Sequence, residues 1–332
     1  MEADPRATGS GLILGKFMPP HRGHVLLADF ARAYVRDLTI LVCSLARDPI
    51  PGAARFDWMR ELFPDARVLH VTEDLPQAPE DHPDFWEIWR AVVRARMPSG
   101  PDFVFASEAY GARLAQELGA RFVPVDPARE MVPVSATAIR DDPMAQWAFL
   151  PACVRPWFVR RVCVFGPEST GKSTLARALA TYYGTVHVSE HARPWLDPKA
   201  GRCGPEDMEP IGRGQIAAEE AMARQADRLL VCDTDPLTTT LWSEHLYGRA
   251  PAWLREEARR RPYDLHLLAD VDVPWVDDGT RFLPDDRRHF FERCERALVE
   301  GGRPYVVLRG DWATRWETAR RAVDEVLARR SR

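Results

Sequence analysis

The chain has 332 residues, 45% hydrophobic and 28% charged, with 45 basic against 49 acidic side chains and a formal net charge of -4. At roughly 150 residues per domain this suits two folded domains, and the charge balance excludes a nucleic-acid surface built on bulk positive charge. No apolar run reaches the roughly 18 residues of a membrane span, Met1-Glu2-Ala3-Asp4-Pro5 does not read as a signal peptide, and the six cysteines include no C-x-x-C pair. A cytoplasmic protein with reduced thiols and no membrane or nucleic-acid partner is expected.

In chain order, apolar runs at 12–14, 38–43, 68–71, 103–106 and 122–125 read as strands, and helical spacing occupies 24–36, 55–63, 83–97 and 110–118. Such alternation predicts a parallel sheet covered by helices, an α/β domain over 11–150. The stretch 151–158, with Pro151, Pro156 and Trp157, reads as a packed linker. A second series gives strands at 162–165, 186–188, 229–232, 265–268 and 305–308 and helices at 172–183, 206–228, 236–246, 286–300 and 312–329, a second α/β domain over 159–330.

Gly15-Lys16-Phe17-Met18-Pro19-Pro20-His21-Arg22-Gly23-His24 follows the first strand and opens the first helix. His21 and His24 flank a glycine that permits close backbone approach. With Lys16 they are placed to stabilise negative charge building on an α phosphate and its departing pyrophosphate. Gly15 and Phe17 of the same loop are counted among the ATP contacts. A metal pair competes, without the i, i+4 spacing or acidic third ligand it needs. At the other end of this half, Ser135, Thr137 and Arg140 of Val134-Ser135-Ala136-Thr137-Ala138-Ile139-Arg140 form a helix-start phosphate clamp. Trp86 and Trp89, three residues apart, suit stacking on a flat cationic ring and equally suit core packing.

In the second half, Gly166-Pro167-Glu168-Ser169-Thr170-Gly171-Lys172-Ser173 lies between a strand and a helix, and Thr174 continues it. This is the P-loop pattern: backbone N–H groups cradle phosphates, Lys172 reaches the β and γ phosphates, and the Ser173 hydroxyl ligates Mg²⁺. Asp233 and Asp235 end a buried strand, with Asp233 expected beside the metal and Asp235 orienting the acceptor hydroxyl; helix capping is the alternative. Glu190 is a second contender for general base or ribose ligand, with Arg193 beside it. The polar stretch 277–288 reads as a lid carrying Arg281 and Arg287.

G-K-F-x-P-x-H-x-G-H at 15–24, W-x-x-W at 86–89, V-D-P-x-R at 125–129, S-x-T-x-I-R at 135–140 and the P-loop after V-x-P-[FW]-F-V-R at 154–160 occur in one order. In that order the chain resembles the NadR-type bifunctional nicotinamide-nucleotide adenylyltransferases and ribosylnicotinamide kinases. The resemblance implies a Rossmann-like nucleotidylyltransferase domain followed by a P-loop kinase domain. It implies ATP, nicotinamide riboside, NMN and NAD as ligands, with Mg²⁺ as cofactor. It carries over Lys16, His21, His24 and Arg140 as ATP phosphate ligands, Ser135 and Thr137 as their partners, Trp86 as the nicotinamide platform, and Lys172 and Ser173 as phosphate and Mg²⁺ ligands. Lys16 stands where archaeal adenylyltransferases carry Arg, so charge is kept and a bidentate contact is lost. About ten residues precede the first strand, too few for the helix-turn-helix of some members, and a DNA-binding role is not expected. Homo-oligomerisation is left open. Alternatives are another nucleoside kinase fused to another nucleotidylyltransferase, and an ATP- and NAD-sensing regulator without turnover.

Overall fold

A computed structural model describes residues 8–275 and 286–329. The chain folds as two compact units that part between Val154 and Arg155.

In the first unit the elements run β1 (Ser10–Gly15), α1 (Arg22–Tyr34), β2 (Asp37–Cys43), α2 (Gly52–Leu62), β3 (Arg67–Val71), α3 (Phe85–Arg96), β4 (Phe103–Ala106), α4 (Tyr110–Leu118), β5 (Arg121–Pro124) and α5 (Ala136–Asp141). All strands pair in parallel in the order β3-β2-β1-β4-β5. Successive side chains of a strand point to opposite faces. Ile13, Ile40 and Phe105 therefore bury against Leu27 and Ala31 of α1 and Met59 of α2. Leu12, Leu41 and Val104 bury against Trp89 and Val93 of α3 and Leu114 and Leu118 of α4. The chain moves from β1 towards β2 and β3, then returns to β4 on the other side. A crevice opens at the carboxyl end of β1, the usual ligand position in such sheets.

The second unit runs α6 (Arg155–Phe158), β6 (Arg160–Phe165), α7 (Lys172–Tyr182), β7 (Val186–Val188), α8 (Ala192–Leu196), α9 (Met208–Ala223), β8 (Leu229–Asp233), α10 (Pro236–Tyr247), α11 (Ala252–Arg260), β9 (Leu265–Ala269), α12 (Arg287–Glu300), β10 (Tyr305–Leu308) and α13 (Trp312–Ala328). Its sheet is again parallel, ordered β10-β9-β6-β8-β7, with β6 at the centre. Val162, Val164, Val231 and Leu267 meet Leu175 and Leu179 of α7 and Val323 and Val326 of α13.

Three helices were not anticipated: α6 lies within the expected linker, where Pro156 falls in the first turn and is tolerated. α8 is only five residues, and α11, Ala-Trp-Leu-Arg-Glu-Glu-Ala-Arg-Arg, buries just Leu254 and Ala258, too narrow a stripe to read as a core-facing helix. The helix expected over 206–228 is shorter. A 3₁₀ turn at Pro205–Asp207 precedes α9, which ends at Ala223, and Arg228 sits at φ 61°, outside helical geometry.

Candidate active sites

A cavity of about 600 Å³ opens at the carboxyl end of β1. There the strand stops at Gly15, and the chain turns through Phe17 at φ 48°. Phe17 is buried, and its ring meets the His24 ring edge-on at 5.0 Å, so it shapes the wall by packing. His21 caps α1: its Nδ1 accepts the Gly23 N–H at 3.1 Å. That bond fixes its ring, which stacks on His24 with centroids 3.8 Å apart. Burial, aided by the Arg129 charge, lowers the His21 pKa to about 4. Burial, then His21 and Arg129, holds His24 well below the ordinary imidazole range. Both rings are thus neutral near pH 7, and a neutral imidazole offers a hydrogen-bond donor rather than a fixed cation. The Nδ1 of His24 is buried without a hydrogen-bond partner among the described residues, capacity that a buried group seldom leaves unused.

Lys16 extends from the same loop, with Nζ 3.6 Å from an Asp48 oxygen. Behind both stands Arg55 of α2, whose side chain is 0% exposed. Its guanidinium donates to the Lys16 carbonyl at 2.6 Å, to the Cys43 carbonyl at 3.2 Å and to Asp48 at 2.6 Å, joining the loops after β1 and β2. Burial alone would raise the Asp48 pKa, but the Leu45 N–H and Arg55 bring it below the usual carboxylate range. Sequence reading missed Arg55. The signal was its place four residues before buried Met59 on one helix face, where a lone arginine must be compensated.

Arg140 reaches the wall, donating to the Met18 carbonyl at 2.5 Å and to the Thr137 hydroxyl at 3.1 Å. Ser135 caps α5 by accepting the Ala138 N–H at 3.0 Å. Ser135 and Thr137 therefore hold the helix start and Arg140, while Val134, Ala136 and Arg140 line the cavity from this segment. Asp126 accepts the N–H groups of Glu130, Met131 and Val132, and this turn sets Arg129 beside the two histidines, a residue of the V-D-P-x-R pattern for which no role was foreseen. The tryptophans separate. Trp86 is partly exposed at the cavity wall, with Phe85 edge-on at 4.9 Å. Trp89 is buried and donates its Nε1–H to the Pro76 carbonyl at 3.0 Å. The expectation of two ring-binding tryptophans is thereby corrected for Trp89: its packing belongs to the core, although its edge borders the cavity.

In the second unit the P-loop joins β6 to α7. Gly166 sits at φ 126°, and a Cβ there would lie 2.9 Å from the Ala269 carbonyl oxygen, so glycine is required. Gly171, at φ 84°, caps α7. Lys172 donates to the Pro167 carbonyl at 2.8 Å, folded back over its own loop. A cavity of about 190 Å³ is lined by Glu168, Ser169, Thr170, Gly171, Lys172, Ser173 and Thr174, with Glu190 and Arg193 opposite. Burial pushes the Glu190 pKa above the usual range; Asp233 and Glu168 add to this, while Lys172 and Arg193 oppose it. Asp233 is buried at the end of β8, and its Oδ1 has no partner among the described residues, a hard oxygen ligand whose chemistry suits Mg²⁺.

Asp235 does not reach the cavity. It is 0% exposed, its Oδ1 accepts from the Thr238 N–H at 2.8 Å and hydroxyl at 2.9 Å, and its Oδ2 lies 3.2 Å from His266 Nε2. Burial opposes its ionisation, yet His266 and the Thr238 N–H hold its pKa low. This corrects its expected part as acceptor-orienting acid, since the carboxylate is spent on capping α10. Cys163, Asp235 and His266 bring one ligand atom each within 4.8 Å, but in this committed and buried position. Arg287 stands at the P-loop, donating to the Ser169 carbonyl at 3.4 Å and the Val273 carbonyl at 3.1 Å. Arg281 lies outside the described residues, as does 277–285 of the expected lid. Arg315 of α13, buried and unforeseen, donates to the carbonyls of Thr170 at 3.0 Å, Asp270 at 2.9 Å and Gly310 at 3.0 Å, tying the P-loop to the loops after β9 and β10. All six cysteines are free, and no described helix is long and apolar enough to cross a membrane.

Comparison with known proteins finds relatives that span both units. A family model described as an AAA domain matches residues 161–315. The trifunctional NAD biosynthesis/regulator protein NadR of Escherichia coli (strain K12) is 28% identical over 322 residues, 89% of this chain and 78% of that protein. The protein of the same name from Salmonella typhimurium (strain LT2) is 28% identical over 331 residues, 92% of this chain and 80% of that one. A crystal structure of a NadR protein in complex with NR superposes with a TM-score of 0.78 at 24% identity, covering 98% of each chain. A NadR protein in complex with NAD and AMP-PNP gives 0.77 at 24%, with the same coverage. In sequence across both units, and in fold, the chain is NadR-like.

Proposed function

We propose that the first unit is an HxGH-type nucleotidylyltransferase that joins NMN to ATP, giving NAD and pyrophosphate, and that the second is a P-loop kinase that phosphorylates nicotinamide riboside to NMN with ATP. The domains then span 11–150 and 159–330, and the product of the second unit is the substrate of the first. The observation that supports this reading is the presence of two cavities, each lined from within its own unit by residues whose chemistry suits phosphate: Lys16, His21, His24 and Arg140 in one, Lys172, Ser173, Glu190 and Arg193 in the other.

In the first unit an NMN phosphate oxygen attacks the α phosphorus of ATP and pyrophosphate leaves. The nucleophile is already an anion, so no base is needed. Neutral His21 and His24 donate hydrogen bonds, Lys16 and Arg140 supply positive charge, and the fixed positions of all four stabilise the charge that builds on the phosphates. The accessible face of Trp86 receives the cationic nicotinamide ring.

In the second unit the ribose hydroxyl oxygen attacks the γ phosphorus, its proton passes to Glu190, and ADP leaves. Burial raises the Glu190 pKa above the usual carboxylate range, which makes it a stronger base for that proton. Lys172 leaves the Pro167 carbonyl for the β and γ phosphates, and Arg287 approaches the transferring group from the P-loop side. Ser173 and Asp233 would hold Mg²⁺, which supplies charge neutralisation on the phosphate oxygens. Incubating the purified protein with nicotinamide riboside, ATP and Mg²⁺ and resolving the products by chromatography tests this directly: NMN followed by NAD is expected, and absence of both refutes it.

A further inference from the structure

The cavity of the second unit takes its wall from the loops and helices that follow β6, β7 and β8, together with α9; among the described residues none after β9 or β10 lines it. In the sheet order β10-β9-β6-β8-β7 the P-loop strand is central, so this cavity lies wholly to its β8/β7 side. A triphosphate held by the P-loop has two ends. If the acceptor occupies the β8/β7 side, the base of the donor must lie towards β9 and β10.

On that side stands Trp312, the first residue of α13, with 46% of its surface exposed although it is among the largest apolar side chains. A methyl group placed on Gly171 of the P-loop would lie 4.0 Å from the Trp312 ring. The indole therefore borders the phosphate cradle itself. Its helix is held fast: Asp311 caps it by accepting the Thr314 N–H at 2.8 Å, and Arg315, one turn further on, donates to the Thr170 and Asp270 carbonyls. An exposed tryptophan on a rigid helix start, beside the phosphate loop and away from the acceptor cavity, has the attributes of a stacking surface for a flat heterocycle.

We propose that Trp312 is the platform on which the purine ring of the phosphate donor stacks in the second unit, and that it sets affinity for ATP without touching the acceptor. The proposal deepens the kinase reading and rests on it for the direction of the donor. Arg315 is a positioning residue, keeping the platform and the P-loop in register.

The test is the kinetics of nicotinamide riboside phosphorylation by the full chain. Trp312→Ala is expected to raise KM for ATP about 5- to 150-fold, the range of one base-aromatic stack, with KM for nicotinamide riboside unchanged. Trp312→Phe should restore most of the ATP affinity. Inhibition by inorganic tripolyphosphate, which has phosphates and no base, should be equal in wild type and Trp312→Ala. An unchanged KM for ATP overturns the proposal, as does tripolyphosphate inhibition weakened in parallel, which would mean that the substitution disturbs the P-loop. Calorimetric titration reads the same contrast without any acceptor. A wild-type protein that fails to phosphorylate nicotinamide riboside refutes the acceptor reading; the platform still requires that Trp312→Ala weaken one class of ADP site and leave tripolyphosphate binding intact, and is overturned otherwise.

Discussion

Replacing Arg55 by methionine keeps most of the side-chain volume and removes the guanidinium that holds the Lys16 loop. Three acceptors then lose a donor: the carbonyls of Lys16 and Cys43, and the Asp48 carboxylate, which keeps the Leu45 N–H and is itself only 6% exposed. Removing one partner of a buried ion pair costs about 3–5 kcal/mol, because the remaining charge is left uncompensated, and Lys16, 3.6 Å from Asp48 and 39% exposed, offsets little of it. Against the roughly 5–15 kcal/mol that holds a typical domain together, the first unit should remain folded and be strongly destabilised. Urea denaturation of the full chain, with loss of NMN-to-NAD conversion reporting the first unit and loss of kinase turnover the second, measures this. Adding Asp48→Asn removes the stranded charge, so the double variant should be more stable than the sum of the two single losses by at least about 1 kcal/mol. Lys16 loses its backbone anchor as well, and KM for ATP in NMN-to-NAD conversion should rise. An Arg55→Met protein within 1 kcal/mol of wild type, or strictly additive losses, would show that the pair does not hold the site.

Glu190→Gln should lower kcat for nicotinamide riboside phosphorylation on the order of 10²- to 10⁴-fold, the span of general-base contributions, with KM for ATP little changed; steady-state ADP release checks it, and an unaltered kcat removes Glu190 as base. Glu219 is buried, accepts the Tyr263 hydroxyl at 2.8 and 2.7 Å, and has its pKa raised by burial to about 7 from an unfolded value of 4.5. The fold therefore favours its protonated form: this stabilisation is complete below pH 4.5 and is lost as pH rises to about 7, a change of roughly 3 kcal/mol. Glu219→Gln should flatten the fall in stability of the second unit between pH 5 and pH 8 relative to wild type, which denaturation at the two pH values reads.

Both sheets were legible because each strand is a short apolar run bounded by turn residues, and because a fully buried parallel strand needs no alternation to be seen. Phe103–Ala106, Val186–Val188 and Tyr305–Leu308 lie where those runs lie. Motif residues at loop-helix junctions were equally legible, since spacing alone places His21 and His24 one helical turn apart. Residues that act through tertiary contact were not. Arg55 and Arg315 look like surface arginines until folding buries them against carbonyls distant in sequence. Asp235 and Asp233 have the same local pattern, and only the fold shows that Thr238 and His266 claim one and leave an oxygen of the other without a partner. Trp86 and Trp89 share a helix face by spacing, yet the Pro76 carbonyl takes one into the core.

If two independent ATP sites serve the two reactions, NMN supplied to a Lys172→Ala protein bypasses the kinase step and is still converted. Lys172→Ala should abolish conversion of nicotinamide riboside to NMN and leave NMN-to-NAD conversion near the wild-type rate. His24→Ala should do the reverse, slowing NMN-to-NAD conversion on the order of a hundredfold through lost charge stabilisation. A folded Lys172→Ala protein that makes no NAD from supplied NMN would mean that the two reactions share one ATP site.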